Sequence, residues 1–129
     1  MITTTLNKLR AFSPCRESWE KFLRFKGKTH ADDEEFPLVD VLTSNGFQDT
    51  IWALKVAPDI AIKFAHECAN HVQHLDNYWS KKAADTTHAA NAHAYAAAAY
   101  AATATYATYA AAERKWQTDK LTELLTNTP

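Results

Sequence analysis

The chain has 129 residues, a single domain's length, with 14 basic and 15 acidic side chains and a net charge of −1. Near-neutrality removes the easy argument for the basic footprint of a nucleic-acid binder or for a polybasic membrane contact. Two glycines are too few for the turns of an all-β fold, so the expected class is all-α.

Chain order predicts a single compact domain of about five or six helices. Residues 1–77 read as short helices, 78–125 as one long Ala-rich helix and 126–129 as a frayed tail. Thr3-Thr4-Thr5 caps a short helix over LNKLRAF, with Leu6, Leu9 and Phe12 inward. Ser13-Pro14 opens a second helix that runs to about Lys26. Cys15, Trp19, Phe22, Leu23 and the Lys26 stem share one face, and Gly27 supplies a left-handed cap. Asp32, Asp33, Glu34 and Glu35 follow in a polar loop. Pro37 starts the next helix, which ends at Ser44-Asn45-Gly46. FQDTIWALKVA forms a compact helix with Phe47, Ile51, Trp52, Leu54 and Val56 inward. After a Pro58-Asp59 corner, a longer helix from Ile60 to about Asp76 carries Phe64, Ala65 and Cys68 among its apolar residues. Leu121, Leu124 and Leu125 anchor the C-terminal end.

The stretch from Ala83 to Ala112 organises the chain. It is mostly alanine, without glycine or proline, and carries no formal charge from Thr86 onward when its histidines are neutral. Alanine is the best helix former, and at 1.5 Å per residue the stretch would be about 45 Å long. Its small side chains let another helix approach closely. At 100° per residue His88, Tyr95, Tyr106, Tyr109 and Trp116 fall within roughly 80° of one another. This stripe reads either as a contact surface or as the core edge of a long helix. The stretch is long enough to cross a bilayer. His88, Asn91, His93 and the threonines within it, together with its lack of Leu, Ile, Val and Phe, exclude that reading. The N-terminal MITTTLNKLR has no apolar signal core, so a cytoplasmic protein is expected. Its two cysteines, Cys15 and Cys68, are then expected to be reduced and buried.

Catalytic patterns are missing. There is no Gly-rich phosphate loop, no nucleophile elbow and no dinucleotide fingerprint. HECANH spaces its histidines five apart, whereas a zincin helix needs four. His71 and His74, with Cys68 or Asp76, leave a zinc pair as a weaker alternative. No metal or cofactor is expected. The acids Asp32 to Glu35 lack the alternating oxygens and sixth-position glycine of a calcium loop. Such a run is usually a solvated loop, and its functional reading is a contact for a basic partner.

Ser13-Pro14-Cys15, GKTHADDEEFPL, SNGFQDTIWALKV, FAHECANHVQHL and AERKWQTDKLTELL together carry a likeness across most of the chain. The sequence resembles a group of small bacterial and phage proteins related to an immunity-protein family of polymorphic-toxin systems. Its most specific parts are Ser44 to Leu54 and Glu113 to Leu125. It departs from that group in its short linker and in an Ala-rich helix with almost no charge. The resemblance implies a non-enzymatic protein that binds and neutralises another protein. That partner would be a toxin or, in a phage, a host defence effector such as a CRISPR nuclease. No catalytic residue is implied. The expected partner-binding residues are Tyr95, Tyr106, Tyr109 and Trp116, with Asp32, Asp33, Glu34 and Glu35. A structural homo-oligomer packed through the Ala-rich helix is the alternative, and a homodimer is compatible with both. Neither nucleic acid nor membrane is an expected partner.

Overall fold

The computed structural model describes residues 1–71 and 107–129, with Ala69 and residues 107–112 as backbone only. In chain order it contains β1 (Thr3–Thr4), α1 (Leu6–Arg10), α2 (Arg16–Lys26), β2 (Phe36–Pro37), α3 (Val39–Asn45) and α4 (Phe47–Ala53). A 3₁₀ turn (Leu54–Val56), α5 (Pro58–His71) and α6 (Ala107–Asn127) follow. The described residues are thus mostly helical, with one small sheet.

The sheet departs from the all-α expectation. β1 pairs antiparallel with β2, Thr3 opposite Pro37 and Thr4 opposite Phe36. The three threonines divide between two roles. Thr3 and Thr4 are strand residues, while Thr5 caps α1 by accepting from the Lys8 amide at 3.2 Å. Pro37 therefore ends a strand, and the next helix starts at Val39 instead of at Pro37. A two-residue edge strand tolerates proline, which cannot donate to a ladder.

The same N-terminal segment reaches the other end of the chain. The Ile2 amide donates to the Leu125 carbonyl at 2.8 Å, and the Leu38 amide donates to the Ile2 carbonyl at 2.9 Å. The Met1 ammonium donates to the Thr128 carbonyl at 2.7 Å. A helix C-terminus leaves its last carbonyls without intrahelical partners, and Ile2 satisfies one of them. The helix runs through Asn127, and the Thr128 carbonyl beyond it accepts from Met1.

Local chemistry sets the helix ends. Gly27 closes α2 at φ 69°, its amide bonding back to Arg24 and the Lys28 amide to Leu23 at 2.9 Å. Gly46, at φ 89°, separates α3 from α4, and its carbonyl accepts from the Thr50 amide and hydroxyl. Pro58 opens α5 where a corner was expected, since the first helical position needs no amide donor.

One apolar cluster joins all layers. Leu6, Phe22, Leu38, Ile51, Phe64 and Leu121 lie within it, each at most 3% exposed. α6 packs on α5 and α3. Its buried stripe is Glu113, Gln117, Leu121 and Leu125, one residue per turn. Two inward expectations are corrected. Phe12 is 42% exposed, because the chain turns away after α1 through Ser13 at φ 54°. Cys15 is exposed as the N-cap residue of α2, whereas Cys68 is buried; both are free thiols. Among the described residues no helix is long and apolar enough to cross a membrane. Tyr95, Tyr106, His88 and the Ala-rich stretch before Ala107 lie outside the described residues.

Candidate functional site

The acidic run is built on α1 and on the end of α2. Asn7 holds it at two points. Its amide donates to the Asp32 carbonyl at 3.1 Å, and its side chain donates to Asp33 Oδ1 at 2.9 Å. Lys28, just past the Gly27 cap, donates to Asp32 Oδ2 at 2.6 Å and to Glu34 Oε2. The Glu34 amide closes a tight turn onto Asp32 Oδ1 at 3.1 Å. The bond from Lys28 holds the Asp32 carboxyl below its ordinary 3.8. Bonding to Asp32, then to Glu34, pushes the Lys28 ammonium above 10.5. The run is therefore a pinned acidic surface, with Asp33, Glu34 and Glu35 exposed. Lys28 offsets only one of its four charges.

Trp116 lies elsewhere, on the seam between α5 and α6. It is half-buried, and its ring stacks on His71 at 3.7 Å between centroids and 1° between planes. Lys120 sits 5.9 Å from the same ring. Tyr109 belongs to α6 by its backbone, but its side chain lies outside the described residues, as do Tyr95 and Tyr106. Among the described residues, no hydrogen bond or ion pair joins Trp116 to the acidic run.

The seam carries a pair that sequence reasoning missed. The side chain of Glu113 is only 4% exposed, and its Oε2 lies 2.8 Å from His71 Nδ1. Gln117 Nε2 donates to Oε1 at 3.1 Å. Cys68 lies one turn before His71 on α5. Burial, and then the charge of Glu113, push its thiol well up. A buried, protonated thiol is a poor nucleophile, so Cys68, His71 and Glu113 do not form a catalytic set. Among the described residues, no group of three His, Cys, Asp or Glu is placed to hold a metal. His74 and Asp76, the other ligands considered, lie outside them. The available signal was Glu113, the first acid after the uncharged run, but sequence spacing does not pair it with His71.

A second unforeseen feature is a cavity of about 340 Å³ against α2, α3 and α4, walled by Trp19, Phe22, Val41 and Trp52. Cys15 and Asp49 also line it, with the Cys15 thiol donating to Ser18 Oγ at 3.1 Å. Asn45 ties the walls together, donating to the Ser18 carbonyl at 2.9 Å and to Asp49 Oδ2 at 3.0 Å.

Comparison with family models, with curated proteins and with solved structures finds no match to this chain.

Proposed function

We propose that this protein binds and neutralises another protein without catalysing a reaction. The observation that carries the reading is the acidic run, held in shape by Asn7 and Lys28 while Asp33, Glu34 and Glu35 face solvent. A charged surface fixed before encounter loses little entropy on binding and steers an oppositely charged partner. The partner is then a protein with a basic face, in the class of a toxin or a defence effector. The resemblance to immunity proteins points the same way. In this reading α6 is the end of one Ala-rich helix spanning 78–125 in a cytoplasmic protein. Tyr95, Tyr106, Tyr109 and Trp116 would then supply a second, aromatic part of the contact.

Affinity capture from a bacterial lysate, read by mass spectrometry, tests this. Wild-type protein is expected to retain one stoichiometric partner. The Glu34→Lys/Glu35→Lys variant, which gives up the bond from Lys28 to Glu34 but keeps those from Lys28 to Asp32 and from Asn7 to Asp33, is expected to lose it. Recovery of the bait alone, or capture indifferent to the charge reversal, overturns the reading. Light scattering of the recovered bait then reports whether a homo-oligomer takes its place.

A further inference from the structure

The cavity at α2, α3 and α4 has a composition that selects a ligand. Its walls are apolar and include two indoles, Trp19 and Trp52. Among the described residues its lining holds one formal charge, the carboxylate of Asp49. That carboxylate accepts a hydrogen bond from the neutral side-chain amide of Asn45 at 3.0 Å. Among the described residues no lysine, arginine or histidine forms an ion pair with it. The Asn45 bond, together with the one from Asn45 to the Ser18 carbonyl, fixes where the carboxylate sits. Trp52 already receives a cation, because the Lys55 ammonium lies 5.5 Å from its ring centroid.

We infer that this cavity is a binding site for a small organic cation with an apolar body, an alkyl- or aryl-ammonium. Each part of such a ligand has a counterpart. Indole faces attract a cation through the ring quadrupole and cover an apolar body at the same time. Asp49 supplies the opposite charge at the cavity wall. A volume of about 340 Å³ suits a small molecule and lies at the lower end of ordinary ligand sites. An anion would meet Asp49 with no compensating positive charge among the described residues of the lining. A neutral molecule would gain the apolar contacts but leave the carboxylate without a cation. This inference is independent of the acidic run and of any protein partner, because the cavity shares no residue with Asp32 to Glu35.

Three probes of one shape test the charge preference: 2-phenylethylammonium, 2-phenylethanol and phenylacetate. The readout is the indole N–H resonances of Trp19 and Trp52 in ¹H–¹⁵N spectra, with Trp116 outside the cavity as a control. The ammonium is expected to shift both cavity indoles at millimolar concentration and to bind roughly tenfold more tightly than the alcohol, with the acetate weakest. In Asp49→Asn the side-chain oxygen can still accept from Asn45, so the cavity keeps its shape. There the ammonium and alcohol are expected to bind within about twofold of each other. Circular dichroism confirms that this variant is folded. Equal binding of ammonium and alcohol to wild type, a preference for the acetate, or unmoved cavity indoles with all three probes overturns the inference. So does an ammonium preference that survives Asp49→Asn in a folded protein.

Discussion

The two ends of the buried stripe on α6 are about equally enclosed and differently held. Leu121 and Leu125 are fully enclosed in the apolar cluster. One and two turns earlier, Gln117 and Glu113 occupy the same stripe at 0% and 5% exposure. At the leucine end the gain is non-directional and follows the area removed from water. At the glutamate end, burial costs free energy, which the bonds from His71 and Gln117 must offset. Position on the stripe therefore says how deeply a side chain is buried and not what holds it there. The leucine end therefore gains more from burial than the polar end does. The polar end ties α6 to one rotation and one register against α5.

The leucine end is the more sensitive to truncation. Leu121→Ala removes a fully buried side chain between elements that relax only in part. It is expected to cost about 2–5 kcal/mol, read from urea denaturation at unchanged slope. A loss under about 1 kcal/mol would mean that this end collapses around the gap, and the contrast between the two ends would fail.

The polar end is expected to be sensitive to the loss of one partner and tolerant of the loss of both. His71→Ala leaves the Glu113 carboxylate with the Gln117 amide and removes the ring stacked on Trp116. The expected cost is about 1–3 kcal/mol. His71→Leu/Glu113→Leu exchanges the pair for apolar side chains and is expected to recover most of that loss. A double-mutant cycle separates the coupling from the single effects. Additive single costs would show that His71 and Glu113 are neighbours without being partners.

This division also explains what the sequence discloses. Gly27 as the cap of α2, Ile51 and Leu54 inside the cluster, and Leu121 with Leu125 at the C-terminal end follow from local period and cap chemistry. The structure places each as expected. The β1–β2 pair does not follow, since two residues carry no period and Thr3-Thr4-Thr5 serves a strand and a helix cap equally well. The bond from Ile2 to Leu125 and the pairing of His71 with Glu113 depend on where distant segments meet, and neighbouring residues say nothing about that. The candidate site divides in the same way. The acids are visible as a run, whereas Asn7 and Lys28, which turn the run into a surface, are visible only in three dimensions. The cavity combines residues from four helices and the turn between α1 and α2, and it leaves no local pattern at all.

The acidic run extends the comparison to a partly exposed pair, where the effects are smallest. Lys28 holds Asp32 below 3.8, so the folded state binds this proton less readily than the unfolded chain does. The stabilisation from Asp32 is therefore present above pH 3.8 and is lost as the pH falls through the lowered value. Lys28 works in the opposite sense. Its pKa is raised above 10.5, so its contribution is complete below that pH and is lost as the pH climbs through the raised value. The pair is thus whole between these limits and weakens at both edges. In Lys28→Met the Asp32 carboxyl, followed by ¹³C NMR, is expected to titrate closer to 3.8. The Glu34 amide still donates to Asp32 Oδ1 and His30 still lies nearby, while burial acts in the opposite sense, so the upward move reads the loss of Lys28. An unchanged titration would assign the shift to the Glu34 amide and leave Lys28 as a bystander. The surface would then be held by Asn7 and the tight turn, and charge reversal at Glu34 and Glu35 would change its sign without changing its shape.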